Sequence, residues 1–84
     1  MEEKIFSVYV IKSITAHKIY VGMATDVQKR LNEHNAGKSK YTSSFIPWEL
    51  IYIEQIGNSQ ECRKREKYFK SAAGKKFLHK KEIL

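Results

Sequence analysis

The sequence has one cysteine, one proline and four glycines in 84 residues. A single cysteine, Cys62, cannot form an intrachain disulfide, which excludes the disulfide-stabilised class of small secreted domains. We therefore expect Cys62 to be a core residue of a protein that folds in a reducing compartment. Because repeats and proline- or glycine-rich linkers are also absent, the chain is predicted to form one continuous domain over residues 1–84.

Long hydrophobic runs are missing as well. The longest apolar run near the N-terminus spans residues 8–11, whereas a signal peptide needs an apolar stretch of about 7–15 residues and a membrane-spanning helix about 20. The sequence therefore predicts a soluble, cytoplasmic protein with no membrane partner.

Acidic residues are the scarcer of the two charged classes. The sequence has nine Asp and Glu residues and 16 Lys and Arg residues, which gives a formal net charge of +7. A strong positive charge on so small a domain favours polyanionic partners, nucleic acid first and anionic membrane second. With 42% hydrophobic and 12% aromatic residues, the chain is not a disordered basic tail.

Three segments have the composition of β-strands, rich in β-branched and aromatic residues. They are residues 5–12, 18–22 and 48–55. The short polar segment 13–17 predicts a hairpin between the first two. Successive side chains of a strand point to opposite faces. In the first strand, one face is therefore formed by Phe6, Val8 and Val10, and the other by Ser7, Tyr9 and Ile11.

The first predicted helix follows the hairpin. It begins at Thr25 or Asp26, and Thr25 and Gln28 have the spacing of a capping box. Gly37 is typical of a helix C-terminus, and residues 38–47 are predicted to be an ordered loop.

A second helix is predicted to begin at Asn58 or Ser59, to run to about Ala72 and to end at Gly74, with a further short helix at 75–81. The order is therefore strand, strand, helix, strand, helix and a last helix. Hairpin strands are antiparallel, so we predict an α+β fold in which helices flank a three-stranded antiparallel sheet.

Glu66 occupies an unexpected position on the second helix. Helical geometry places Cys62, Glu66, Phe69 and Ala73 on one stripe that should face inward. Burying a carboxylate is costly unless a metal ion or a cation compensates. Two interpretations stay open: a functional carboxylate, or one at the edge of the stripe that is bridged to a lysine or arginine.

Four further side chains permit both structural and functional roles. Arg30 and His34 are neighbours on the first helix. The arginine either extends into solvent or contacts a phosphate, and the histidine is either interfacial or part of a site. Tyr9 and Tyr20 lie on the paired strands, where they pack or bring two hydroxyls together. Gly22 permits close approach of a backbone or ligand.

These residues fall into an ordered pattern that covers about residues 9–78. Its parts are Val8-Tyr9-Val10, Tyr20-Val21-Gly22, Thr25-Asp26, Arg30, Glu33-His34-Asn35, Gly37-Lys38, Lys40-Tyr41-Thr42, Pro47-Trp48, Arg65-Glu66-Lys67 and Lys70. The pattern resembles the GIY-YIG nuclease superfamily, and its small single-domain bacterial members most closely.

The resemblance implies a three-stranded antiparallel sheet flanked by helices and hydrolysis of DNA phosphodiesters with one divalent ion, Mg²⁺ or Mn²⁺. By position, Tyr9 and Tyr20 resemble the paired active-site tyrosines, and Arg30 resembles the arginine that contacts the scissile phosphate. Glu66 resembles the metal-binding glutamate, and His34 matches a histidine placed near the reacting phosphate. We therefore predict a DNA endonuclease that nicks or removes flaps in DNA repair or recombination.

Basic and aromatic surface residues are candidates for DNA contact. They are Lys38, Lys40, Tyr41, Lys70, Lys75 and Lys76, with Lys80 and Lys81 beyond them. Trp48, beside Pro47, is interpreted as a packing residue.

The sequence also departs from the pattern. The first tripeptide lacks its glycine, and residues 74–78 lack the asparagine that larger members carry after the glutamate. Larger members recognise DNA through an additional domain, which we do not expect here. Two alternatives therefore remain: a non-catalytic nucleic-acid-binding module, and a protein-interaction module that docks to a nuclease or repair partner, which would supply the targeting.

Overall fold

The computed structural model describes residues 4–83, which form one three-stranded sheet and three helices. The strands are β1 (Phe6–Ser13), β2 (Ile19–Ala24) and β3 (Trp48–Gly57). The helices are α1 (Val27–Asn35), α2 (Ser59–Lys70) and α3 (Ala72–Lys80), and a 3₁₀ turn spans Thr42–Phe45. The predicted order and α+β class are confirmed.

The sheet has the order β2-β1-β3, with both pairings antiparallel. The central strand β1 alternates as predicted, so its two faces belong to separate hydrophobic clusters. Val8 and Val10 pack in the cluster that also contains Cys62 and Phe69 of α2. The opposite face of the sheet packs against α1 and contains a second cluster, formed by Tyr9, Ile11, Val27 and Trp48. A single layer of strands thus separates α1 from α2.

The N-terminus of α1 is capped by Asp26, whose carboxylate accepts a hydrogen bond from the Lys29 backbone N–H at 3.0 Å. The alternative start at Thr25, with its capping box to Gln28, is not used. The helix ends before Gly37, which has a φ of +79°, a backbone conformation that favours glycine. The predicted stop at Gly37 is therefore confirmed.

The junction of α2 and α3 differs from the prediction. Helix α2 ends at Lys70, and Ser71 caps α3 by accepting a hydrogen bond from the Gly74 N–H at 3.3 Å. Gly74 therefore lies inside α3 and does not end α2. A Cβ atom at this position would lie 2.4 Å from Phe69 Cα, so glycine is needed for close packing of the two helices. Ala73 is exposed on α3, and its predicted place on the buried stripe of α2 is wrong.

An ion pair joins α2 to the edge strand β3. Arg65 Nε and Nη2 donate to the Glu54 carboxylate at 2.6 and 3.3 Å, and Tyr52 donates to the same carboxylate at 2.7 Å. The guanidinium also lies 4.7 Å from the ring centroids of both Tyr68 and Phe69. The hydrogen bonds from Arg65 to Glu54 attach α2 to β3, and the cation–π contacts with the aromatic rings of the same helix hold the guanidinium in place.

The helices of the described part of the chain are too short or too polar to cross a membrane.

Candidate active site around Tyr9 and His34

A buried hydrogen bond between β1 and α1 forms the centre of the candidate site. Tyr9 Oη lies 2.9 Å from His34 Nε2, and both side chains are almost completely buried. The two residues are far apart in sequence, and antiparallel pairing in the sheet together with the packing of α1 brings them together. A buried hydroxyl and a buried imidazole satisfy each other here.

The second ring nitrogen of His34 is also bonded. His34 Nδ1 lies 2.8 Å from Thr42 Oγ1, and Thr42 is fully buried in the 3₁₀ turn. Trp48 Nε1 donates to the Thr42 carbonyl oxygen at 2.8 Å. Trp48 is thus a packing residue, as predicted, and it also fixes the turn that carries the histidine's partner.

Tyr20 completes an aromatic group on the same side of the sheet. Its ring centroid lies 5.0 Å from that of His34 in an edge-to-face arrangement and 6.4 Å from that of Tyr9. Tyr20 is only half-buried, so its side chain reaches the surface. The structure therefore brings both predicted tyrosines together with the predicted histidine.

Arg30 approaches this group from α1. Its guanidinium donates to Glu33 at 3.1 Å, and about a third of its side chain is exposed. The positive charge of Arg30 opposes the rise in the pKa of Tyr9 that burial causes. Arg30 is thus neither isolated in solvent nor fully paired in the core.

The environment sets the protonation state of the buried pair. Burial, followed by the proximity of Tyr20, raises the pKa of Tyr9 to about 12 against the opposing charge of Arg30. Burial is also the main cause that lowers the pKa of His34, and Arg30 adds to it. Near neutral pH the free protein therefore holds a neutral phenol against a neutral imidazole.

Glu66 lies on α2, the helix that packs on the opposite face of the sheet. The Glu66 charge raises the pKa of Tyr9, as the last of several causes. Only 18% of the Glu66 side chain is exposed, and Lys70 Nζ lies 3.5 Å from Glu66 Oε2. The structure therefore has features of both interpretations of Glu66: its side chain is mostly buried, and a lysine forms an ion pair with it.

The side chains available as ligands determine which metal ion the candidate site would suit. Among residues 4–83, no three His, Cys, Asp or Glu side chains lie close enough together to hold an ion. Mg²⁺ keeps several water ligands and binds through one or two carboxylates, whereas Zn²⁺ needs three or four protein ligands. The half-buried carboxylate of Glu66 fits a hydrated Mg²⁺ or Mn²⁺ ion.

The predicted DNA-contacting residues separate into two groups. Tyr20, Tyr41, Lys70 and Lys75 line one surface depression, and the Tyr41 ring centroid lies 6.2 Å from that of Tyr20. The other predicted lysines do not share it. Lys38 lines a different depression on α1, and Lys40, Lys76, Lys80 and Lys81 are exposed elsewhere.

Three further residues of the site, Thr42, Asn35 and Glu33, occur in the sequence pattern but were assigned no role from it. Thr42 lies in a loop rich in Ser and Thr, where no periodicity distinguishes it from its exposed neighbours. Asn35 binds Trp48 twice, by accepting from its backbone N–H at 2.7 Å and donating to its carbonyl at 3.0 Å. Glu33 pairs with Arg30. Thr42 and Asn35 contact residues of other elements, and the pair of Glu33 with Arg30 depends on the side-chain rotamers. Sequence spacing alone therefore cannot identify these contacts.

Comparison with known proteins identifies the family that this sequence matches. Residues 5–81 match the family described as the GIY-YIG catalytic domain. A UPF0213 protein from Bacillus pumilus is 39% identical over 77 residues, which cover 90% of this chain and 78% of the relative.

Shorter matches connect the chain to other bacterial proteins. A UPF0213 protein from Streptococcus agalactiae is 45% identical over 53 residues, which cover 62% of this chain and 60% of the relative. The UPF0213 protein YazA from Bacillus subtilis is 41% identical over 58 residues, which cover 68% and 59% respectively. The chain therefore spans about 60% of the length of these two relatives.

Proposed function

Because this chain belongs to the GIY-YIG family of nuclease domains, we propose that it is a metal-dependent DNA endonuclease that hydrolyses phosphodiester bonds. A domain with one such site cuts one strand at a time, so nicking of branched or flapped DNA in repair or recombination is the activity it fits best. The observation that carries the proposal is the buried Tyr9–His34 hydrogen bond, with Tyr20 beside it and with the charges of Arg30 and Glu66 both affecting the pKa of Tyr9.

Hydrolysis needs a water oxygen to attack phosphorus while the bond to the leaving oxygen breaks. In the proposed reaction Tyr9 or Tyr20, as the phenolate, orients the water and accepts its proton, and His34 holds the Tyr9 oxygen in place. Arg30 stabilises the negative charge that grows on the phosphoryl oxygens, because its exposed end can donate to a phosphate.

Glu66 is the residue proposed to hold the divalent ion. When bound, the ion supplies positive charge that polarises the phosphate and stabilises the leaving oxygen. Lys70, which pairs with Glu66 at 3.5 Å, would then be free to contact DNA.

The proposed DNA-binding surface surrounds Tyr20. Lys70 and Lys75 provide phosphate contacts, and the exposed Tyr41 provides an aromatic ring beside them. Phosphate contacts give affinity without sequence information. The net charge of +7 predicts that this affinity falls steeply as salt rises.

One observation favours a second candidate, a nucleic-acid-binding module with the same fold and little turnover. The pKa of Tyr9, raised by burial to about 12, makes the phenolate scarce at neutral pH. A base role for Tyr9 therefore needs added positive charge, which a divalent ion at Glu66 would supply. If no ion binds there, the domain would bind DNA without cleaving it.

A cleavage assay separates the two candidates. The purified protein is incubated with supercoiled, branched, flapped and single-stranded DNA, with Mg²⁺, with Mn²⁺ and with chelator. The nuclease proposal expects metal-dependent nicking that Glu66→Ala abolishes, with circular dichroism showing an intact fold. Glu61→Ala, at an exposed position near the start of α2, is the matched control and should keep full activity.

Binding to these DNA molecules without cleavage under every metal condition would contradict the nuclease proposal and support the binding module. Absence of DNA binding at low salt would contradict both. It would favour the protein-interaction alternative, in which the domain docks to a nuclease or repair partner.

A further inference from the structure

The positive charge of the protein is concentrated in one segment. Residues 59–81, which include α2 and α3, contain nine of the 16 Lys and Arg residues and two of the nine Asp and Glu residues. This segment therefore has a formal charge of +7, and the remainder of the chain, with seven basic and seven acidic residues, has none. A polyanion is attracted to the surface of these two helices more than to the rest of the molecule.

The cations of α2 lie on two sides of the helix. Successive helical residues turn by about 100°, so Arg63, Lys67 and Lys70 fall within a stripe about 60° wide, and Arg65 faces away from them. We call these three residues the α2 stripe. Arg65 is bound to β3 by its ion pair at 2.6 Å, whereas Lys70 lines the same depression as Tyr20 of β2. The α2 stripe therefore begins beside the candidate site and runs toward the start of the helix.

Two members of the α2 stripe are available to an external ligand. Arg63 and Lys67 are exposed, and none of the four ion pairs among residues 4–83 involves either side chain. The other cations of α2, which are Lys64, Arg65 and Lys70, each pair with a glutamate. Arg63 and Lys67 can therefore bind an anion without giving up an ion pair of the described structure.

The dimensions of the α2 stripe suit a DNA backbone. An α-helix rises about 1.5 Å per residue, so Arg63 and Lys70 are separated by about 10 Å along the helix axis. One strand of duplex DNA has a phosphate about every 3.4 Å along its axis, and the stripe therefore spans about three phosphates. Guanidinium and ammonium groups bind phosphate oxygens through charge-assisted hydrogen bonds.

An anionic membrane fits this surface less well than DNA does. Helices that lie on membranes combine cations with large apolar side chains that enter the bilayer. Among residues 4–83, the exposed large hydrophobic side chains all lie outside α2 and α3. They are Ile5, Ile14, Tyr41 and Ile53. The two helices thus present positive charge without the apolar side chains that a membrane would require.

We propose that Arg63 and Lys67 bind phosphates of the DNA strand on one side of the scissile phosphate, so that α2 holds the duplex backbone as it leaves the candidate site. The inference rests on the proposed function for its ligand, DNA, but it does not require cleavage. The two side chains contribute affinity without sequence information, because every nucleotide carries the same phosphate.

Fluorescence anisotropy with a short labelled DNA duplex, in chelator and between about 50 and 200 mM salt, tests the inference. Arg63→Gln/Lys67→Gln should reduce the magnitude of the slope of log affinity against log salt by about 1.8, since each phosphate contact contributes about 0.9. Lys29→Gln/Lys64→Gln removes two exposed charges elsewhere and is the control with the same net charge; it should keep the wild-type slope. An unchanged slope in Arg63→Gln/Lys67→Gln, or an equal reduction in the control, would overturn the inference.

The cleavage assay distinguishes failure of the inference from failure of the proposed function. If the slope changes as expected but the wild type cleaves no DNA with Mg²⁺ or Mn²⁺, the nuclease proposal is contradicted and the inference stands. If the wild type cleaves DNA but Arg63→Gln/Lys67→Gln keeps its slope, the inference alone is overturned. Absence of duplex binding at low salt contradicts both. Binding to phosphatidylserine vesicles without DNA binding would overturn the inference in favour of a membrane surface.

Discussion

The ring of Tyr9 lies directly over Gly22, its partner in the β1–β2 pairing. A Cβ atom built on Gly22 would lie 2.5 Å from Tyr9 Oη and 2.6 Å from Tyr9 Cζ, closer than non-bonded atoms approach. The absence of a side chain at position 22 therefore gives Tyr9 the space in which its hydroxyl meets His34.

The first prediction concerns this space. Gly22→Ala should displace the Tyr9 ring and lower the free energy of unfolding by about 1–3 kcal/mol, the usual cost of overpacking. Denaturant unfolding measures the loss, and NMR of His34 shows whether its bond to Tyr9 survives. Thr25→Ala, at an exposed position just after β2, is the control. Equal stability of Gly22→Ala and the wild type would contradict the close contact.

The second prediction concerns Arg30. Arg30→Ala should lower the cleavage rate by about 10²–10³-fold, as expected for a donor that acts on transition-state charge, while DNA affinity falls much less. Single-turnover kinetics and fluorescence anisotropy measure the two quantities separately. Lys29→Ala removes an exposed charge from the same helix and should affect the rate little. A large rate loss from Lys80→Ala combined with none from Arg30→Ala would show that the site is elsewhere.

The third prediction concerns the attachment of α2 to the sheet. Arg65→Lys keeps the charge but loses the two-pronged contact with Glu54 and the stacking on Tyr68 and Phe69. We expect a loss of about 1–2 kcal/mol in the free energy of unfolding. Lys64→Arg, at an exposed position next to it, is the control. No change in the unfolding midpoint of Arg65→Lys would mean that the contacts contribute nothing.

The fourth prediction is a pH dependence with a defined sign. The hydrogen bonds from Arg65 are the main cause that lowers the pKa of Glu54 below its ordinary value of 4.5. Since the unfolded chain then binds the proton more tightly, this stabilisation is fully present above that value and is lost as pH falls through the folded pKa.

Urea unfolding between pH 6 and pH 3 measures this loss. Glu54→Gln should flatten the stability profile at its acidic end, whereas Glu49→Gln, at an exposed position of the same strand, should not. An identical acid dependence in the wild type and Glu54→Gln would contradict the assignment.

The sequence predicts most of the fold because the strands carry strong local signals. Alternation in β1 assigns Val8 and Val10 to one cluster and Tyr9 and Ile11 to the other, as observed. The error at Gly74 has a physical cause, since glycine serves equally as a helix stop and as a point of close helix contact. Only the packing of α3 on α2 decides between these roles.

The candidate site is predicted in part. Spacing and resemblance predict Tyr9, Tyr20, Arg30 and His34 as site residues, and the fold places Tyr9, Tyr20 and His34 together. They include Thr42 in the pattern but give it no role, because that role depends on a 3₁₀ turn that Trp48 fixes from a neighbouring strand. Nor do they give the environment of Tyr9, whose raised pKa results from burial. Properties of this kind depend on packing and have no signature in residue type.

The central claim is that Glu66 holds a divalent ion beside Tyr9, Tyr20, Arg30 and His34. Titration of the labelled protein with Mn²⁺, followed by NMR, tests it directly because the ion broadens the signals of nearby nuclei. The account predicts that substoichiometric Mn²⁺ broadens the signals of these five residues first and that Glu66→Gln removes the effect. Broadening that is centred elsewhere, or that persists unchanged in Glu66→Gln, would contradict it.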